Sequence, residues 1–110
     1  MNISELVDEF IKESDVDYVG LWEVAQVSRE DLGATTMEET QELSLDLVGR
    51  LYDRGLRPGN YWGGDFDFWP EQGRQAMLDR IEQEWVAARA DPNLADPICY
   101  FAHPRGQLNG

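Results

Sequence analysis

The chain has 110 residues, with 22 Asp and Glu against 9 Lys and Arg and a formal net charge of −13. A surface field of this sign repels nucleic acid and anionic membranes and attracts basic partners. Hydrophobic residues make up 42% and aromatic residues 11%, which excludes an acidic disordered chain. We therefore expect a single compact domain over residues 1–102, followed by a frayed polar tail over 103–110.

The N-terminus and the cysteine content narrow the class of protein. The first residues have neither the basic nor the apolar region of a signal peptide, and no apolar run approaches the roughly 20 residues that cross a bilayer. Cys99 is the only cysteine, so neither an intrachain disulfide nor a cysteine-rich metal cluster is expected. These features predict a cytoplasmic protein without a cofactor.

The first two predicted elements are helices. Apolar residues recur at helical spacing over 3–13, and Asn2 with Glu5 forms a capping-box pattern at its start. A second helix is expected over about 17–32. A strand at Tyr18–Val27 competes with it, because β-branched valines favour strands.

The third predicted helix has the clearest boundaries. Thr36 and Glu39 have the spacing of a capping box, which predicts the start of the helix. Gly55 suits the left-handed position after the last turn, where a Cβ would be strained. Leu56 can then pack against Leu51, as in a Schellman ending.

The second half of the chain combines extended segments with one more helix. Glycine and asparagine interrupt helix formation over 58–70, and alternating aromatic and polar residues at Phe66–Trp69 indicate a short strand or a structured loop. A fourth helix is expected over about 71–89. A short strand at 98–101 can pair antiparallel with part of 60–69. The predicted fold is a mainly helical α+β domain of about four helices with a small two-stranded antiparallel element.

Four carboxylates follow one face of the third helix. At about 100° per residue they project within about 60° of one another, and they are Glu39, Glu42, Asp46 and Asp53. We call this set the acidic stripe. Regularly spaced carboxylates can dock onto an Arg- and Lys-rich surface. The alternative is a solvated helix face opposite the core.

The aromatic segment that follows is a second candidate binding surface. Trp62 and Trp69 flank Asp65 and Asp67, and Trp is enriched in the residues that dominate interface energies. The same rings could instead cover one end of the core. The aspartates lack the EF-hand spacing, so no calcium site is expected.

The sequence contains no recognisable catalytic constellation. Cys99 and His103 would lie about 13 Å apart on an extended segment, too far for a nucleophile–base pair. One Cys and one His make no zinc site of the usual kind. An acid-pair hydrolase needs two facing carboxylates, which the sequence cannot single out. We therefore expect a non-enzymatic protein.

Three helices followed by an extended aromatic pair resemble a winged-helix layout. A DNA-binding domain of that kind needs basic side chains on its recognition helix. The third helix offers Arg50 and Arg54 against at least five acids, so direct nucleic-acid binding is not expected. The alternative function in this class is a regulatory or adaptor domain that self-associates, as a homodimer, through the aromatic segment.

Short phrases over about 15–102 resemble a group of small acidic bacterial proteins of uncharacterised function. The phrases are Leu21-Trp22-Glu23-Val24, Gly55-Leu56-Arg57-Pro58-Gly59, and Ile81-Glu82-Gln83-Glu84-Trp85 followed by Asp91-Pro92. The resemblance implies an immunity protein for a secreted toxin. The charge and the resemblance together predict a protein that neutralises a basic protein partner, with the acidic stripe for electrostatics and Trp62, Asp65, Asp67 and Trp69 as anchors.

Overall fold

A computed structural model describes residues 2–62, 64–70 and 73–104, without the side chain of Trp62. Within these residues the chain forms four helices and four strands. Their bounds are α1 Ile3–Glu13, β1 Val19–Gly20, α2 Leu21–Glu30, α3 Met37–Asp53, β2 Arg57–Trp62, β3 Asp65–Phe68, α4 Arg74–Ala88 and β4 Tyr100–Ala102. The α+β class and the predominance of helix are confirmed.

The capping patterns place α1 and α3 where the sequence predicts them. The Asn2 side chain accepts a hydrogen bond from the Glu5 backbone at 2.9 Å, and the Glu5 side chain accepts one from the Asn2 backbone at 3.2 Å. Thr36 caps α3 by accepting from the Glu39 backbone at 3.1 Å. The Glu39 side chain, however, bonds to Thr35 rather than to Thr36.

The last turn of α3 is the predicted Schellman ending. Gly55 has a φ of +105°, which carries no steric cost because glycine has no Cβ. Its N–H donates to the Tyr52 carbonyl at 3.0 Å, and the Leu56 N–H donates to the Leu51 carbonyl at 3.1 Å. The chain therefore turns directly from α3 into β2.

The second helix begins later than predicted because strand β1 precedes it. The Glu23 side chain accepts a hydrogen bond from the Gly20 backbone at 2.8 Å and so caps the start of α2. Val19, which the sequence assigned to the helix, pairs instead with Phe101 of β4. Each of the two competing predictions for this segment therefore holds for part of it.

The predicted two-stranded element is wrong, since the described residues form a four-stranded antiparallel sheet in the order β1-β4-β2-β3. The predicted strand at 98–101 does pair antiparallel, but with Arg57–Gly59 of β2 and not with 60–69, since Pro58 pairs with Phe101 and Gly59 with Tyr100. The short β1 and β4 strands show no alternation that a sequence could reveal.

One face of the sheet covers the helical core, and α3 packs against α1, α2 and α4. Val19 and Phe101 point into the core from the sheet, where they are 0% and 1% exposed. From the helices, Leu47 and Trp85 are fully buried beside them. The opposite face of the sheet is left open to solvent, and that face positions the site described below.

The structure also changes or leaves open the predicted boundaries of α4 and of the C-terminal tail. Helix α4 begins at Arg74, later than the predicted 71, and residues 71 and 72 lie outside the described residues. The predicted tail lies mostly outside them as well, at 105–110. Its first residue, His103, lies against Gly55 at the end of α3. No helix in the described ranges has the length and apolar character needed to cross a bilayer.

Candidate functional site

The acidic stripe lies on the exposed face of α3, but its members have different surroundings. Glu39 accepts hydrogen bonds from the backbone and the hydroxyl of Thr35, both at 2.9 Å. These bonds lower the pKa of Glu39. Its carboxylate therefore stabilises the N-terminus of the helix. Glu42, in contrast, is exposed and forms no ion pair in the described part of the chain.

The other two members of the stripe are paired with arginines of the same chain. Asp46 lies 3.2 Å from Arg50 Nε, one turn along α3. Asp53 lies 3.0 Å from Arg74 Nε and so connects α3 to the start of α4. Exposed ion pairs of this kind contribute at most about 1 kcal/mol, but they reduce the negative field on this part of the stripe.

The aromatic segment forms the β2–β3 hairpin, in which Trp62 pairs with Asp65. Asp65 and Asp67 are exposed, and no ion pair involves them among the described residues. Trp69 is only 3% exposed, and its indole N–H donates to Asn60 Oδ1 at 2.7 Å. Trp69 thus covers the core, the alternative that the sequence left open. The side chain of Trp62 lies outside the described part.

The open face of the sheet carries aromatic rings that the sequence did not group together. Tyr18 contacts Tyr61 with ring centroids 5.1 Å apart, and it contacts Phe66 at 4.7 Å. Tyr61 contacts Tyr100 at 6.4 Å. With Trp22, the three tyrosines line a groove of about 690 Å³. We call it the aromatic groove.

Two glycines allow these rings to lie close to the strands. A Cβ on Gly20 would lie 2.5 Å from the Trp22 ring and 3.2 Å from the Tyr100 ring. A Cβ on Gly59 would lie 2.5 Å from the Phe66 ring. The absence of side chains at these two positions therefore permits the aromatic layer.

Three carboxylates, Glu13, Asp17 and Glu23, also line the aromatic groove. We call them the carboxylate rim. Burial raises the pKa of Glu13 to about 7, and a hydrogen bond to Glu23 and the charges of Glu23 and Asp17 act in the same direction. Carboxyl groups this close together oppose one another's ionisation, which marks a concentration of negative charge.

The sequence reasoning missed the groove for an identifiable reason. The predicted second helix, over about 17–32, contains both Tyr18 and Trp22, and this prediction hides their position on the open face. A usable signal was present, because Gly20 precedes Glu23 by three residues, the spacing at which a glutamate caps a helix start. A helix that begins after Gly20 leaves Tyr18 outside it.

Metal binding and thiol chemistry depend on the His, Cys, Asp and Glu side chains. No three or more His, Cys, Asp or Glu side chains among them are arranged to hold a metal ion. Cys99 is fully buried, and burial raises the pKa of its thiol well above the ordinary value. Comparisons with protein-family models, curated proteins and solved structures found no match.

Proposed function

We propose that this protein is a non-enzymatic, cytoplasmic binding protein that neutralises a basic protein partner, of the immunity or inhibitor type. The observation that carries the proposal is how the charges are distributed. Each ion pair among the described residues uses an arginine. The arginines are Arg29, Arg50, Arg54, Arg74 and Arg80.

Most of the basic side chains among the described residues are therefore already paired with carboxylates of the same chain. Arg57 is also committed, since its guanidinium lies 3.7 Å from the centroid of the Tyr52 ring and donates to two backbone carbonyls. In contrast, Glu42, Asp65 and Asp67 are exposed without an ion pair in the described ranges. A surface with unpaired carboxylates and committed arginines attracts a basic partner and accelerates its association.

A capture experiment with two charge-reversed variants tests the proposal. The wild-type protein is immobilised, exposed to native-host lysate at low salt, and eluted with a salt gradient for mass spectrometry. The test variant carries Glu42→Lys and Asp67→Lys. The control carries Asp79→Lys and Glu82→Lys on the exposed side of α4, so that both variants change the net charge equally.

The proposal predicts one basic protein that elutes late from the wild type and the control and early from the test variant. All three proteins should have similar melting temperatures. Recovery of acidic or neutral proteins, or a basic protein that elutes identically from all three, would contradict it.

A second candidate is a winged-helix-like regulatory or adaptor domain that self-associates without binding DNA directly. The order of α1, α2 and α3 followed by the β2–β3 hairpin is compatible with that layout. Exposed apolar side chains near the groove favour self-association, since Val16 is 86%, Leu94 72% and Tyr61 45% exposed. Light scattering over a range of concentrations separates the two candidates. A dimer that Tyr61→Ser dissociates would favour the second.

A further inference from the structure

Highly exposed apolar side chains border the aromatic groove. Val16 and Leu94 line it with 86% and 72% exposure. Tyr61, 45% exposed, lines the same groove and contacts Tyr18 and Tyr100. Tyrosine and tryptophan rings that line one groove beside polar groups are typical of a binding site.

The charges around the groove favour a positively charged ligand. The three carboxylates of the rim line the groove, and no lysine or arginine does so among the described residues. Burial and the nearby charges of Glu23 and Asp17 oppose the ionisation of Glu13, so negative charge in the rim carries a free-energy cost. A cation placed between these carboxylates would reduce that cost.

The same considerations disfavour a second copy of the chain as the occupant. A symmetric contact through this face would bring Glu13, Asp17 and Glu23 of one copy toward the same residues of the other. Like charges that meet at an interface oppose association. The carboxylate rim therefore favours a basic occupant over self-association.

The molecule itself shows which cation suits aromatic walls beside carboxylates. The guanidinium of Arg80 lies 3.8 Å from the centroid of the Trp69 ring and also contacts Glu84 at 2.7 Å. A guanidinium stacks on a ring and binds a carboxylate through its edge, which the compact ammonium of lysine cannot do in the same geometry. The groove offers the same combination with no arginine of its own among the described residues.

We infer that the aromatic groove binds an arginine side chain of the basic partner, whose guanidinium stacks on the Tyr61 and Trp22 rings and pairs with the carboxylate rim. This inference rests on the proposed function and assigns the partner's contact to a surface other than the acidic stripe. The groove then supplies selectivity for arginine, while the stripe and the hairpin supply long-range attraction.

Calorimetric titration with an acetylated and amidated tetra-arginine peptide at low salt tests the inference. The neutral control is the same peptide with citrulline in place of arginine, which keeps the shape of the side chain without its charge. The groove variant carries Glu13→Gln, Asp17→Asn and Glu23→Gln, which preserve the capping hydrogen bond at Gly20. The matched variant carries Glu38→Gln, Glu42→Gln and Asp67→Asn. Titrating at about pH 8.5, where Glu13 is largely ionised, makes both variants lose the same net charge.

The wild type should bind the arginine peptide and not the citrulline peptide. The groove variant should lose about tenfold or more in affinity, and the matched variant less than about threefold. Tyr61→Leu, which keeps an apolar side chain but removes the ring, should also weaken binding. Thermal melts must show each variant folded.

Three results would overturn the inference. They are equal losses in the groove and matched variants, equal binding of both peptides, and no binding to the wild type. Each leaves the proposed function standing on the acidic stripe and the hairpin. Failure of the proposed function would instead appear as the absence of a basic partner in the capture experiment, which the peptide titration does not require.

Discussion

At the scale of the residue, the most informative side chain is Glu13. Its pKa is raised to about 7 by burial, by its hydrogen bond to Glu23 and by the nearby charges of Glu23 and Asp17. A carboxyl group held in this environment lowers the stability of the folded protein whenever it is ionised.

The pH dependence of stability follows from that shift. Between about pH 4.5 and about pH 7 the folded protein retains a proton that the unfolded chain releases, so stability falls as the pH rises through this window. Glu13→Gln removes the effect. Because Glu13 is only partly buried, solvent screening reduces the gain, and we expect about 1 kcal/mol at about pH 8, or a Tm higher by about 5 °C.

Thermal unfolding of the wild type and Glu13→Gln at about pH 4 and about pH 8 measures this effect. The two proteins should have similar Tm values at the lower pH and differ at the higher one. Glu9→Gln, on the exposed side of the same helix, is the control and should match the wild type at both. A Glu13→Gln variant that is less stable at the higher pH would contradict the account.

Gly20 tests the aromatic layer at the same scale. An added Cβ would lie 2.5 Å from the Trp22 ring, so Gly20→Ala must displace that ring. We expect a loss of about 1–3 kcal/mol in urea unfolding, the usual cost of overpacking. Gly73→Ala is a matched control, because Gly73 also precedes a helix but has nothing within 4 Å of the added Cβ. Equal losses in the two variants would contradict the close approach of Trp22.

At the scale of the element, Asn60 connects three parts of the sheet region. Its Oδ1 accepts from the indole of Trp69 at 2.7 Å, and its Nδ2 donates to the Ile98 carbonyl at 3.1 Å. Ile98 has a φ of 65°, a region that β-branched residues rarely adopt and that surrounding contacts must hold. Asn60 therefore fixes the approach to β4.

Asn60→Ala should destabilise the protein by about 1–3 kcal/mol, because the hydrogen bonds of Asn60 to the Trp69 indole and to the Ile98 carbonyl are both lost. Urea unfolding measures the loss. Asp67→Ala is the control, since Asp67 pairs with Asn60 across the strands but its side chain is exposed. An Asn60→Ala variant as stable as Asp67→Ala would show that the indole contact has little effect.

How much the sequence could predict also differs between elements. The α1 and α3 boundaries depend on hydrogen bonds between residues close in sequence, such as Thr36 with Glu39, and these were predictable. Strand β2 was not, because Pro58 cannot donate to a ladder and argues against a central strand. Pro58 is accommodated by pairing with Phe101, a contact between residues far apart in the chain.

In the candidate site, too, features set by local spacing were predictable and features set by contacts between elements were not. The acidic stripe was predictable because it depends on helical spacing alone, but the ion pair of Asp53 with Arg74 joins two elements and was not. The aromatic groove depends on rings from the β1 region, β2 and β4. Their assembly requires the sheet order, which no local pattern encodes.

At the scale of the whole molecule, we propose that the net charge of −13, with arginines held in internal ion pairs, serves to bind a basic partner. Such binding must weaken as salt screens the charges. The Debye length falls from about 30 Å at about 10 mM salt to about 8 Å at about 150 mM. An ordinary solubilising surface would produce no specific complex at either salt concentration.

The most direct measurement is a calorimetric titration of the purified captured partner into the wild-type protein at several salt concentrations between these limits. The account predicts a complex of one-to-one stoichiometry whose affinity falls steadily as salt increases. An affinity that is independent of salt, or no complex between the two purified proteins, would contradict it.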